Sequence, residues 1–308
     1  MLIGIDIGYG DVKCAYEKDN EIKTFKFPTA VERVRGTGFN FAKEDENVLS
    51  FNGFKYRVGE DVLLTPYDTR NVDFLIEFAP LFVYKAMKKI EEIEKIKLEK
   101  SNKVATGLSI LNWHKNEEFS NSLEKFVVND EVFTNEVFLF AQGQGVYIQN
   151  KDILNLKGLV VIVDIGFNTL DVITFKDEKP LKDLSFAVEF GTFLIIKELQ
   201  KLIENEYKTT ISEIEAKEIF NSGEVKLFGK IRSFKNEISK LKEMYSKELI
   251  MTLKNKNVEL FRNADYVVMS GGGVYYLDKN MFYDNVVFSE NPYEYGNVKG
   301  YLKGVKNG

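Results

Sequence analysis

Residues 159–174 read LVVIVDIGFNTLDVIT: an apolar run, an Asp, a Gly-centred bend and a second run of β-formers. Val- and Ile-rich runs on either side of a turn signal predict a buried strand, a tight loop and a returning strand. The chain opens on an echo of this stretch. Residues 2–13 read LIGIDIGYGDVK, again with an Asp closing an apolar run and glycine following it. Asp6-Ile7-Gly8-Tyr9 and Asp164-Ile165-Gly166-Phe167 share Asp-Ile-Gly-aromatic, and each leads into another apolar stretch, from Val12 and from Leu170. One copy alone reads equally well as a buried hairpin whose Asp caps the turn. Two copies 158 positions apart predict two related domains rather than a short-period solenoid.

The remaining pattern fills in strands and helices around these hairpins. β-like stretches are expected over 21–27 and 48–58, the second turning at Asn52-Gly53, with a surface loop between them at Gly36-Thr37-Gly38 and the charged run from Lys43. Residues 73–100 carry an apolar stripe (Phe74, Phe78, Leu81, Phe82, Met87, Ile90) that predicts an amphipathic helix, broken or kinked at Pro80, with a solvated Lys/Glu face after Lys88. A strand over 104–110, a helix over 116–126, a strand over 132–140 and a short helical connector over 146–150 follow. After the central hairpin, helices are expected over 192–207, 211–221 and 230–255. Strands at 266–270 and 286–288 and a helix over 293–305 close the chain. Strands followed by helices, twice over, indicate an α/β architecture.

Composition narrows the function classes. The 308 residues suffice for two domains with their own cores. A formal net charge of −5 gives no electrostatic reason for direct nucleic-acid binding. No apolar run approaches ~18 residues and no basic leader precedes the first strand, so neither a membrane helix nor a signal peptide is expected, and a cytoplasmic location follows. One cysteine, Cys14, and one histidine, His114, exclude an internal disulfide and argue against a zinc site or a Cys/His nucleophile.

Candidate chemistry gathers at three glycine-rich turns that each follow an apolar strand, where α/β proteins place ligands. Gly8 and Gly10 would let backbone N–H groups approach phosphate oxygens, with Lys13 as a cationic partner. Gly166, Asn168 and Thr169 would do the same from the second hairpin, and Gly271-Gly272-Gly273 would let the backbone pass close to a flat base and ribose. No GxxxxGK[ST] or GxGxxG is present, which excludes a P-loop and argues against a Rossmann site. Mg²⁺ is usually held by one or two carboxylates plus substrate phosphates, so Asp6 and Asp164 are the candidate pair, expected to act through water molecules on the ion, against the alternative of two turn caps. Gln142, just after a strand, is either a water-orienting amide or a loop hydrogen bond.

These pieces together resemble the actin/Hsp70/sugar-kinase superfamily, and within it the ParM-like, plasmid-segregation type of bacterial and archaeal actin-like ATPases. IDIGYGDVK resembles the family's first phosphate loop, VFLFAQGQG its first connector, VIVDIGFNTLDV its second phosphate loop and VVMSGGGVYYL its adenosine motif. NPYEYGNVKGYLKG, with Asn297, Gly300 and Tyr301, is similar to its second connector and closing helix, and TGLSI to its T-G-L-P segment, with Ser109 in place of Pro. The resemblance implies two RNase H-like domains with a nucleotide cleft between them: residues 1–146 completed by 290–308, and residues 147–289. It implies Asp6 and Asp164 around a Mg²⁺–phosphate site and Gln142 positioning the hydrolytic water. Gly8, Tyr9, Gly10, Lys13, Gly166, Phe167, Asn168, Thr169, Gly191, Gly271, Gly272 and Gly273 would line ATP or ADP, with Glu215 and Lys217 near base and ribose. Where this chain has Asn168, actin has Gly.

The expected function is an actin-like Mg-ATPase that assembles with itself into nucleotide-dependent filaments. Their role would be plasmid segregation through a DNA-binding adaptor protein, or another cytoskeletal task. The rivals are a small-molecule kinase of the same superfamily, for which no catalytic Asp is evident after Gly107, and a non-hydrolysing actin-like scaffold.

Overall fold

The computed structural model describes residues 1–34, 47–62, 67, 69 and 71–307. The loop expected at 36–38 and the charged run from Lys43 lie outside them, Asn47 excepted. The chain divides into two compact units, Met1–Leu154 with Glu294–Gly308, and Asn155–Tyr293.

The first unit is built from β1 (Leu2–Ile7), β2 (Asp11–Lys18), β3 (Glu21–Pro28), β4 (Val31–Arg33), β5 (Leu49–Phe51), β6 (Phe54–Val58), α1 (Val72–Glu94), β7 (Ser101–Leu108), α2 (Asn116–Glu124), β8 (Lys125–Val128), β9 (Glu131–Ala141) and α3 (Gln144–Asn150). Its main sheet has the order β3-β2-β1-β7-β9-β8, and β4-β6-β5 form a small separate sheet. β1 pairs antiparallel with β2 and parallel with β7, so the opening hairpin feeds a parallel α/β sheet.

The second unit repeats that plan with β10 (Leu159–Ile165), β11 (Leu170–Lys176), β12 (Lys179–Pro180), β13 (Phe186–Val188), α4 (Phe193–Tyr207), α5 (Glu213–Ser222), β14 (Glu224–Leu227), β15 (Lys230–Ser233), α6 (Lys235–Asn263), β16 (Tyr266–Ser270) and β17 (Val286–Phe288). β10 pairs antiparallel with β11 and parallel with β16, as β1 does with β2 and β7. β10 is buried along almost its whole length, as its unbroken Val/Ile run requires for a strand covered on both faces. Its core combines Val161, Val163, Leu199, Ile203, Leu249 and Met269.

Several elements depart from the sequence expectation. α1 passes through Pro80 without a break and ends at Glu94 rather than at residue 100, because Lys95 adopts a left-handed φ of 54°. Proline removes one helical donor, but Phe78, Leu81 and Phe82 bury the same face on either side of it. β8 replaces the end of the helix expected over 116–126: Phe126 and Val128 alternate inward, and Asn129-Asp130, both at positive φ, turn the chain into β9. Residues 230–233, expected as helix, form β15, because Phe228-Gly229 at φ 48° and 78° make a hairpin turn with β14. α6 runs on to Asn263 past a non-helical Asn257, whose side chain accepts from the Leu260 N–H at 3.0 Å and so caps the following turn.

The closing helix α7 (Gly296–Asn307) belongs to the first unit. Its Val298, Tyr301 and Leu302 pack with Ala15 and Ala105. It approaches α3 through glycine: a Cβ on Gly300 would lie 1.8 Å from the Gly145 carbonyl oxygen. Gly107 at the end of β7 leaves the space that the Tyr301 ring fills, since a Cβ there would meet its hydroxyl at 1.9 Å.

Cys14 is fully buried on β2, and burial, followed by the charge of Asp6, pushes its thiol pKa well up. The thiol therefore stays protonated in the fold at a pH where it ionises in the unfolded chain. Stability carried by this group is complete below about pH 8.5 and declines above it. Folded protein at pH 8 is expected to resist alkylation by iodoacetamide, and denatured protein to react within minutes. Equal rates would show that β2 opens readily.

Candidate functional site

In the first unit, Asp6 is the penultimate residue of β1 and 5% exposed. Its carboxylate accepts from the Gln142 Nε2 at 2.7 Å and faces the Lys13 ammonium at 3.6 Å. Lys13 is the cross-strand partner of Asp6 in the hairpin register, which places both side chains on one face of the ribbon. Gln142 is held just beyond β9 by its N–H, which donates to the Leu108 carbonyl at 3.0 Å. The next residue, Gly143, takes a φ of 92° and donates its N–H to Asn297 Oδ1 at 2.9 Å, so α7 fixes the backbone that carries Gln142.

The turn after β1 is pinned from below. The Thr29 hydroxyl donates to the Gly8 carbonyl at 2.6 Å, and the Thr29 N–H to that of Gly10 at 3.1 Å. The Thr69 hydroxyl donates to the Tyr9 carbonyl at 2.7 Å, and Asn112 Nδ2 to the Tyr9 hydroxyl at 2.8 Å. A Cβ at Gly8 would stand 2.8 Å from the Lys13 Nζ, so glycine here gives the ammonium room over the turn. Thr29, Thr69 and Asn112 were invisible as site residues in the sequence, because nothing local marks a loop residue that bonds back to a distant turn.

In the second unit, Asp164 occupies the equivalent place on β10, 8% exposed. The turn closes through the Gly166 N–H donating to the Thr169 carbonyl at 2.9 Å. The Thr192 and Phe193 N–H groups, at the start of α4, donate to the Gly166 and Phe167 carbonyls at 3.1 and 2.8 Å. Gly191 permits this approach, since its Cβ would lie 2.2 Å from the Phe167 oxygen and 2.5 Å from the Asn168 nitrogen. Gly271 has a φ of 85° and would place a Cβ 2.4 Å from Asp164 Oδ1. Gly273 is held equally close to Ile165, and Gly272 opens the 3-10 turn Gly272–Tyr276 that follows β16. The glycine triplet thus packs directly beneath the Asp164 turn.

The two residues expected near base and ribose have different surroundings. The Lys217 ammonium sits 4.5 Å above the Phe167 ring, against the turn. Glu215 is exposed and its carboxylate is engaged in a capping box, accepting from the Ser212 N–H and hydroxyl at 2.8 and 2.9 Å. No local pattern in the sequence gives Asp171 a role. It is buried and is the direct cross-strand partner of Asp164, with the same seven-residue offset that relates Asp6 to Lys13. That repeated offset was the available signal. One hairpin therefore presents an acid and a base side by side, the other two acids.

The repeated sheet plan and its hairpins are those of the actin fold. The family described as "Actin like proteins N terminal domain" matches residues 4–149, and that described as "Archaeal actin homologue MreB-like, C-terminal" matches residues 162–282. The chain belongs to the actin-like proteins. Among solved structures, Ta0583, an archaeal actin homolog, superposes with a TM-score of 0.79 at 18% identity, over 100% of this chain and 99% of that one. The same homolog in complex with ADP gives 0.77 at 17% identity, with the same coverage. A subunit of a 15-stranded ParM filament from Clostridium botulinum gives 0.75 at 19% identity, again over 100% and 99%. No curated protein matches the chain. Among the described residues no helix is long and apolar enough to cross a membrane.

Proposed function

We propose that this chain is an actin-like ATPase that binds Mg-ATP through its two Asp-Ile-Gly turns and assembles into filaments according to the nucleotide it holds. The observation that carries the reading is the duplicated hairpin with a buried Asp at the end of each first strand, one of them hydrogen-bonded to Gln142. The family membership supports it, as do an ADP complex and a ParM filament among the proteins that share the fold.

The residues present fit the nucleotide and the ion. In the second unit Gly191, Gly271 and Gly273 leave no room for a Cβ against the Asp164 turn, and in the first Gly8 gives the Lys13 ammonium room, as a phosphate-binding turn short of side-chain bulk requires. Asp6 in the first unit, and Asp164, Asp171 and Thr169 in the second, offer only oxygen donors, which suits Mg²⁺ over softer metals. Among the described residues no group of three His, Cys, Asp or Glu side chains forms a closed metal cage. Asp6 and Asp164 would hold the hydrated ion, which when bound neutralises charge on the phosphates. Lys13 would meet a phosphate oxygen and Gly271–Gly273 the adenosine. In Gln142 the amide nitrogen is committed to Asp6, so its carbonyl oxygen is the end that accepts a hydrogen bond from an attacking water. The units Met1–Leu154 with Glu294–Gly308, and Asn155–Tyr293, would be the two domains that share the nucleotide. Filaments of this chain would move or position plasmid DNA through an adaptor protein, in keeping with its acidic charge.

Gln142→Ala is expected to lower the rate of phosphate release about 10- to 100-fold with nucleotide affinity nearly unchanged, because a water-positioning group acts on the chemical step rather than on binding. Fluorescent-nucleotide binding and a phosphate-release assay on the same preparation check this. Equal losses in affinity and rate would make Gln142 a structural support of Asp6 alone. Light scattering and pelleting on addition of Mg-ATP test assembly, and the absence of nucleotide-dependent polymer over a wide concentration range would refute it.

A further inference from the structure

The β14–β15 hairpin breaks two rules at one residue. Phe228 is the first residue of its turn, where φ is 48°, a left-handed position normally given to Asn, Asp or Gly. It is also 75% exposed, and Ile231 beside it is 72% exposed. A bulky aromatic at positive φ is strained, and a large apolar pair held in water forgoes burial. Lys226 and Lys230 flank the tip, and neither is paired with a carboxylate among the described residues.

The same unit carries a groove of about 470 Å³ between α4 and α6, lined by apolar residues that include Leu194, Met244 and Tyr245 and by the charged Lys197, Glu198, Lys201 and Glu248, of which Lys201 pairs with Glu198 at 2.8 Å and Lys197 lies 4.0 Å from Glu213. Leu194 and Met244 are exposed apolar residues on its walls. Tyr245 is fully buried, stacked on Phe190 at 5.2 Å, and its hydroxyl has no hydrogen-bond partner. Glu248 at the groove has no cationic partner among the described residues. An apolar knob with unpaired lysines thus exists alongside a partly apolar groove whose lysines are paired and whose Glu248 is not, and Phe228 does not fill the groove of its own chain.

We infer that the hairpin tip Phe228/Ile231 of one chain docks in the α4–α6 groove of a second copy of this chain. The inference rests on the filament reading and names its contact. Knob and groove are different patches, so the contact is heterologous. Each docked subunit leaves one free knob and one free groove, and repetition yields an open polymer rather than a closed dimer. Lys226 or Lys230 would pair with Glu248 at the rim, making assembly sensitive to salt.

Two variants test this: F228S/I231S, which removes the knob at exposed positions, and Met244→Arg, which blocks the groove at another exposed position. Nucleotide binding by each monomer should match wild type. Each variant alone, with Mg-ATP, should need at least a tenfold higher concentration than wild type to scatter light. An equimolar mixture should give discrete heterodimers in sedimentation velocity, because one intact knob and one intact groove remain between them. Wild type that polymerises together with variants that polymerise equally well would overturn this contact and leave the filament reading standing. Wild type that stays monomeric with Mg-ATP would overturn both.

Discussion

Asp164→Asn is expected to reduce ATP turnover at least about a hundredfold while leaving thermal stability equal to or above that of wild type. On the proposed function the rate effect follows from removing charge that would be preorganised around the phosphates, a loss that typically costs about 10²–10³ in kcat. The stability effect follows from the register. Asp164 lies directly opposite Asp171 on β11, both are buried, and directly opposed side chains stand about 5 Å apart. A neutral isostere of the same shape lowers the charge buried at this pair of acids without opening a cavity. Asn also keeps the oxygen that Gly271 accommodates. Phosphate release and a thermal melt on one sample decide the point: lost turnover with an unchanged or raised Tm marks a ligand-directed acid, whereas a lowered Tm with intact turnover would reduce Asp164 to a turn cap.

Gly300→Val should be severe in the opposite sense, abolishing stability rather than chemistry. The Cβ would fall 1.8 Å from the Gly145 carbonyl oxygen and 2.4 Å from its carbonyl carbon, both backbone atoms that cannot rotate away. Overpacking into yielding side chains costs about 1–3 kcal/mol, so a clash with fixed backbone is expected to exceed about 3 kcal/mol. Gly145→Val should be comparably damaging, and the double variant hardly worse than either, since each destroys the same α3–α7 contact. Urea denaturation of the three variants checks this. A loss below about 1 kcal/mol for Gly300→Val would mean that α7 is not closely docked on α3.

The parts of this molecule legible in the sequence were those specified locally. The hairpins were readable because each couples an apolar run to a glycine turn, and their repetition gave the two-unit plan. The buried run Val160–Val163 is likewise written within a few residues. What escaped was set by contacts at long range or by exceptions to local rules. Phe228 concealed the β14–β15 turn, because an aromatic at positive φ is not a turn signal, and residues 230–233 were absorbed into the helix that follows. Pro80 suggested a break that burial on either side overrode. At the site, Gln142 was found by its place after a strand, but its bond to Asp6 spans 136 positions and could not be read. Asp171 was in plain view, yet its meaning depended on a strand register that only the fold supplies.

The central claim is that both Asp-Ile-Gly turns serve one nucleotide. Titration calorimetry of Mg-ATP into wild type, Asp6→Asn and Asp164→Asn, with turnover measured in parallel, tests it most directly. One ATP per wild-type chain, with hydrolysis lost in either variant and no further loss in the double variant, is the predicted result. Two independent sites per chain, or a variant in one hairpin that leaves binding and turnover untouched, would contradict it.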